Sequence, residues 1–142
     1  MSRRVILSSM TVNENASGVE APERLAYFPS HVWLDRSVCP ARLGVTAEGV
    51  RRLGSVIFAD LPAAGAQLSI GGQLCELESS KSVQSVPSPV AGAVVRANSD
   101  VDIDAGVINA DPYGRGWLCE VAVSEVLNEA MDASAYHAFC AK

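Results

Sequence analysis

The sequence predicts a mainly β fold, either a β-sandwich or a flattened barrel, with a short helix and a C-terminal helix. Two observations favour this class. Short apolar runs recur along the chain, and residues typical of turns separate them at close spacing. The chain has 142 residues, of which 49% are apolar, and this is enough for one domain with a buried core.

Composition excludes several classes of function. The net charge of −5 argues against a nucleic-acid partner, because phosphate backbones attract basic surfaces. No apolar run approaches the ~20 residues that span a bilayer. The four cysteines contain no Cys-x-x-Cys pair, so a zinc site is not predicted, and we expect reduced, partly buried thiols in an intracellular protein. Two histidines, His31 and His137, leave little material for acid–base catalysis.

The first half of the chain begins with a polar, aperiodic stretch. Residues 1–23 are predicted to be a flexible leader, and residues 24–142 to be the folded domain. Arg24 to Leu34 should form the first strand, and Arg42 to Val45 the next. Thr46 is a suitable N-cap for a two-turn helix over residues 47–53, which Gly54 would end.

The second half should be mostly strands. They are predicted at residues 55–60, 67–70, 74–78, 83–86, 93–97 and 117–123. Asn98 to Asp104 is interpreted as an acidic, solvated loop, since it lacks the glycine and distal Glu of a calcium loop. Ser124 is predicted to cap a C-terminal helix that runs through Phe139, with a break near Asp132.

Lys81 is the candidate functional residue. It is one of two lysines, beside nine arginines, and unlike a guanidinium an ammonium group can lose its proton and act as a nucleophile. Its neighbours Ser79, Ser80 and Ser82 are small and polar, as at the tip of a β-hairpin, so Lys81 should be exposed to other enzymes. Glu78 offers such an enzyme a charge to recognise. The lysine count alone favours drift from Lys to Arg in a GC-rich genome, and it is the hairpin context that points to a functional amine.

Several motifs together resemble one known family. Glu78-Ser79-Ser80-Lys81, followed by Ser88-Pro89-Val90-Ala91-Gly92, resembles the lipoyl-attachment hairpin of the glycine cleavage system H protein. Further matching segments are Tyr27, Pro29-Ser30-His31-x-Trp33, Gly44-Val45-Thr46, residues 53–62, residues 108–118 and Tyr136-x-x-Phe139-Cys140. Their order and spacing match over residues 27–140, which is nearly the whole predicted domain.

The resemblance implies a fold, a cofactor and partners. The fold would be the barrel-sandwich hybrid of lipoyl and biotinyl domains, and lipoate would be joined by an amide bond to Lys81. The chain would be a non-catalytic carrier with no catalytic residue and no metal. Its partners would be glycine decarboxylase (P protein), aminomethyltransferase (T protein), dihydrolipoyl dehydrogenase (L protein) and a lipoate-attaching ligase or transferase. A monomer is expected, in the cytoplasm or alternatively in the mitochondrial matrix.

Ser80 and Ser82 depart from the Val-Lys-Ala that is usual in the family, and three further positions also depart from its pattern. Val32 stands where His-Glu-Trp has its Glu, Arg52 where a polar residue or His is usual, and Ser85 where an Asp follows the lysine. In the family that Glu helps to hold the aminomethylated arm in a surface cleft. The departures leave open an H-like lipoate carrier of another pathway, such as sulfur oxidation or a stress-linked lipoyl system. An unmodified β-domain that only binds proteins is a third hypothesis.

Overall fold

The computed structural model describes residues 21–141, so all but the last three residues of the predicted leader lie outside it. Nine strands and four short helices make up this part of the chain. The strands are β1 Ala26–Tyr27, β2 Val32–Asp35, β3 Ala41–Val45, β4 Val56–Asp60, β5 Gln67–Leu68, β6 Gln73–Ser79, β7 Val83–Pro87, β8 Val90–Ala97 and β9 Cys119–Val126. The helices are α1 Ala47–Leu53, α2 Ser99–Ile103, α3 Val107–Ala110 and α4 Ala133–Cys140.

The strands form two antiparallel sheets. The larger sheet has the order β1-β2-β3-β9-β8-β5, and the smaller has the order β4-β6-β7. One apolar core joins them, since Leu43 and Val121 of the larger sheet belong to the same buried cluster as Leu74 and Leu77 of the smaller. The predicted mainly β fold is therefore confirmed, as two facing sheets that do not close into a barrel.

A second buried cluster holds the C-terminal helix in place. It contains Leu25, Tyr27, Trp33, Trp117 and Tyr136. The ring of Tyr136 on α4 stacks on that of Tyr27 on β1, with their centroids 4.7 Å apart. Gly44 lies opposite Trp33 in the β2–β3 register, and a Cβ at Gly44 would lie 2.3 Å from the indole ring. Glycine at this position therefore lets the indole lie flat on the sheet.

The structure corrects three expectations about the elements. The predicted first strand is two strands, because the chain turns at Phe28–His31 and His31 adopts a left-handed φ of 66°. The predicted loop at Asn98–Asp104 contains α2, since the Asn98 side chain accepts a hydrogen bond from Asp100 N–H and caps the helix. Ser124 lies inside β9 and caps nothing; α4 starts at the predicted break, where Asp132 accepts from Ala135 N–H.

The predicted cap and end of α1, and the partial burial of the cysteines, are confirmed. Thr46 caps α1 by accepting a hydrogen bond from Gly49 N–H at 3.0 Å, and Gly54, with φ of 85°, ends the helix. Cys75 and Cys119 are buried, Cys140 is half-buried and Cys39 is exposed, and none forms a disulfide. Burial raises the pKa of the Cys119 thiol to about 12. Among residues 21–141, no helix is long and apolar enough to cross a membrane.

Candidate functional site

Lys81 lies at the exposed tip of the hairpin formed by β6 and β7. The buried Ser79 hydroxyl accepts hydrogen bonds from the Lys81 and Ser82 N–H groups, at 3.2 Å each. Ser79 N–H also donates to the Ser82 carbonyl at 2.8 Å. A serine that bonds to the backbone two and three residues on is a standard way to fix a tight turn. The backbone at Lys81 is therefore fixed, whereas the residue itself is exposed.

A second set of hydrogen bonds anchors the hairpin tip to the body of the domain. Ser80 N–H donates to the Ser55 carbonyl at 3.2 Å. Asn109 of α3 holds the same loop from below, since its amide donates to the Gly54 carbonyl at 2.8 Å and accepts from Val56 N–H at 2.9 Å. The position of Lys81 thus depends on a residue 28 places further along the chain.

The stem of Lys81 lies over Gly54, at the end of α1. A Cβ at Gly54 would lie 3.5 Å from Lys81 Cε, and the positive φ of Gly54 already disfavours a side chain there. The last residues of α1, Arg52 and Leu53, line a cleft that Ser82 of the hairpin also lines. A group attached to the Lys81 amine would therefore start at the mouth of this cleft.

The cleft has a volume of about 220 Å³. Its apolar or small lining residues are Val45, Gly49, Leu53, Val86 and Pro87, and its polar ones are Ser30, His31, Arg52, Ser82, Gln84 and Ser85. None of these is a carboxylate. The cleft between α1 and β7 can therefore hold an uncharged hydrocarbon chain against its apolar residues. Its polar residues offer hydroxyl, amide, imidazole and guanidinium groups to a polar group at the end of such a chain.

Glu48 forms an ion pair with Arg52 of the cleft. The carboxylate of this buried residue accepts from Arg52 Nε at 2.8 Å and also pairs with Arg51. Hydrogen bonds from Arg51, together with the charges of both guanidinium groups, lower the pKa of Glu48 to about 2. The Arg52 guanidinium, which is about half exposed, is thus fixed at the rim of the cleft by an ion pair behind it.

His31 connects the cleft to the C-terminal helix. Its Nδ1 lies 2.6 Å from the Tyr136 hydroxyl, which in turn lies 2.7 Å from the Thr46 hydroxyl. Burial, with the nearby charge of Arg52, lowers the pKa of His31. The neutral imidazole of His31 is therefore favoured. Helix α4, through Tyr136, holds His31 in its place in the wall of the cleft.

Only some of the residues singled out from the sequence come together. Arg52 and Ser85 line the cleft, and Lys81 directly precedes Ser82 of its lining, whereas Val32 is fully buried in the core and does not line it. Sequence reasoning assigned no individual role to Glu48, Gln84 or Asn109. The i,i+3 and i,i+4 spacing of Glu48 from the two arginines was a readable signal, but the others come together only in the fold.

Comparison with known proteins decides the family. The sequence profile of the glycine cleavage H-protein family matches residues 25–142, which is most of the chain. The chain belongs to the glycine cleavage H-protein family. The H-protein resemblance found in the sequence motifs is thereby confirmed.

Individual H proteins resemble this one along most of their length. The glycine cleavage system H protein of Bifidobacterium longum is 43% identical over 130 residues, covering 92% of this chain and 95% of the relative. That of Corynebacterium jeikeium is 40% identical over 121 residues, covering 82% and 94% respectively. The crystal structure of a glycine cleavage system H protein from Mycobacterium marinum superimposes with a TM-score of 0.78 at 31% identity, covering 85% of this chain and 99% of that one.

Membership of the H-protein family decides between the open hypotheses. H proteins are non-catalytic carriers with lipoate covalently attached to a lysine, so the expectations of a carrier and of lipoate are confirmed at the level of the family. The relatives named above are glycine cleavage proteins, so a lipoate carrier of another pathway is not favoured.

Proposed function

We propose that Lys81 is the lysine that carries the lipoyl group, and that this H protein serves glycine cleavage through it. The observation that carries the proposal is the exposed Lys81 on a rigid hairpin tip, at the mouth of a cleft. The other lysine of the chain, Lys142, is its last residue and belongs to no hairpin motif.

The residues around Lys81 fit a lipoyl arm. Amide formation removes the charge of the lysine, so the arm can lie against the apolar part of the cleft without burying an ammonium group. When attached, the lipoyl group supplies a disulfide that can accept a one-carbon unit and electrons. The chain contributes a fixed anchor, and its partners meet the tethered group at a high effective concentration.

The cleft would hold a loaded arm without a carboxylate. Leu53, Val45 and Val86 would contact the hydrocarbon chain, and Ser82, Gln84 and Ser85 would offer hydrogen-bond acceptors to an aminomethyl group. Since Arg52 occupies the rim as a cation, an ion pair with the cargo is not available from the cleft lining. This chain would therefore shelter its cargo by exclusion of water and by neutral hydrogen bonds.

We further propose that residues 24–142 form one lipoyl domain, and that it works in the cytoplasm as a monomer with the P, T and L proteins. The family match over residues 25–142 supports the domain. The bacterial origin of the relatives named above supports the cytoplasm over a mitochondrial matrix.

Coexpression with a lipoate–protein ligase tests the attachment site. Intact-mass measurement should show one lipoyl adduct on the wild-type protein and on Lys142→Arg, and none on Lys81→Arg. The loaded protein should then support glycine-dependent exchange of CO2 with a glycine decarboxylase. An adduct that survives Lys81→Arg would mean that the site is wrong, and a loaded protein without exchange would mean that the pathway is wrong.

A further inference from the structure

The outer face of the smaller sheet exposes large apolar side chains beside Lys81. Ile57 is 59% exposed, Phe58 56% and Val83 59%. They are three of the six large hydrophobic residues that are exposed in residues 21–141. Because all three lie on the sheet that ends in the Lys81 hairpin, their exposure is concentrated at one place.

A β-bulge accounts for two of these exposures. In β4 the register shifts between Val56 and Phe58, so that Val56 pairs with Ser79 and Phe58 pairs with Glu78. Ile57 is the extra residue. In a regular strand consecutive side chains alternate between faces, whereas a bulge can turn two neighbours to the same side. Ile57 and Phe58 both reach solvent, and Val56 and Ala59 on either side of them are buried.

Acidic side chains accompany the apolar ones. Phe58, Glu78 and Val83 form one cross-strand row next to the tip, and Asp60, Glu76 and Ser85 form a second. Asp60 and Glu78 are exposed and Glu76 is half-buried. We call Ile57, Phe58, Asp60, Glu76, Glu78 and Val83 the outer sheet face; it carries three negative charges and no positive one.

We propose that the outer sheet face is the docking surface for the lipoate-attaching enzyme, through a surface on that enzyme that is apolar at its centre and basic around it. This inference rests on the proposed attachment at Lys81. Charge complementarity with the three carboxylates favours a basic partner, and the exposed Phe58 is the kind of aromatic anchor that dominates interfaces.

The position of the face identifies which enzyme it serves. The attaching enzyme must bring its active site to the Lys81 amine itself, which lies only a lysine stem away from the row Phe58–Glu78–Val83. The decarboxylase, the aminomethyltransferase and the dehydrogenase act on the far end of the arm, so their reactions do not require contact with the hairpin root. A surface beside the root therefore suits the enzyme that acts at the root.

Loading kinetics test the proposal with a matched pair of variants. Phe58→Ser removes an exposed side chain from the face, and Val95→Ser removes one that is 44% exposed on β8 of the larger sheet. With purified lipoate–protein ligase, lipoate and ATP, kcat/KM for loading should fall roughly tenfold for Phe58→Ser and stay at the wild-type value for Val95→Ser. Glu78→Gln should also slow loading, most at low salt, with Glu125→Gln on β9 of the larger sheet as its control.

Two further measurements define the outcomes. Acylation of Lys81 by acetic anhydride, followed by peptide mapping, should proceed at the same rate in Phe58→Ser and in the wild-type protein. If acylation in Phe58→Ser were slowed as much as enzymatic loading, the hairpin would be distorted and the docking role would be overturned. A wild-type loading rate in Phe58→Ser would also overturn the docking role, even if Lys81→Arg remains unloaded. Sedimentation data showing that the outer sheet face pairs two copies of the chain would overturn it as well. An adduct on Lys81→Arg would instead overturn the proposed attachment site.

Discussion

The two sides of the Lys81 hairpin differ in shape and in charge. On one side is the cleft between α1 and β7, with Arg52 and His31 in its lining and no carboxylate. On the other is the outer sheet face, which is acidic and carries exposed Phe58 and Ile57. Lys81 lies where the two meet.

The difference suggests how one lysine can serve two stages. An apolar and acidic surface suits an encounter with a basic enzyme, which is needed once, when the arm is attached. A concave cleft with a polar rim suits an arm that returns to it between reactions. Such a cleft excludes water from the cargo, and it does so without a carboxylate that would pair with the cargo. The rigid tip, held by Ser79 and by the Ser80–Ser55 hydrogen bond, keeps Lys81 available to both sides.

The largest expected effect is the difference in unfolding free energy between two valine-to-glutamate substitutions, one in the core and one on the outer sheet face. Val32 is fully buried in the core, so Val32→Glu should lower the free energy of unfolding by ~3 kcal/mol or more. Val83→Glu, on the outer sheet face, should change it by less than about 1 kcal/mol. Urea unfolding measures both. Equal losses would contradict the assignment of one residue to the core and the other to the surface.

A smaller effect should follow from Tyr136→Phe. The variant keeps the ring that stacks on Tyr27 but removes the hydroxyl shared by His31 and Thr46, and it should lose about 1–2 kcal/mol of stability. NMR spectra should show changes at His31 and in α1, and unchanged resonances at Phe58 and Glu78. Changes at the outer sheet face would mean that the two sides are coupled.

The smallest effect concerns Glu48. Its pKa is about 2 in the folded protein, below the ordinary value of 4.5, so its stabilising effect is present above pH 4.5 and is lost as the pH falls towards 2. Because its arginine partners are more than half exposed, screening limits the effect to about 1 kcal/mol. Urea unfolding between pH 2.5 and 6 should be less pH-dependent in Glu48→Gln than in the wild-type protein. Identical pH profiles would contradict the ion pair.

The elements that sequence analysis predicted correctly have local signals. Helix α1 has its cap at Thr46 and its terminating Gly54, and the hairpin has a small, polar tip. Where prediction failed, the deciding interaction was distant or unrecognised. Strand β9 continues past Ser124 because Val126 pairs with Val90 of β8, and α2 forms because Asn98, read as loop, is an N-cap.

The cleft and the outer sheet face were not predictable from the sequence. The cleft joins residues from the β1–β2 turn, α1 and β7, and no sequence spacing brings these segments together. The outer sheet face depends on a bulge that a run such as Val56-Ile57-Phe58 does not reveal, since the same run suits a buried strand. The lysine hairpin itself was visible, because its tip chemistry is contiguous in the chain.

Fragment-ion mass spectrometry of the protein purified from its native host tests the central claim most directly. The lipoyl mass should be found on the peptide that contains Lys81 and assigned to its side-chain nitrogen. An unmodified Lys81 in a host that makes lipoate, or the lipoyl mass at Lys142, would contradict the account.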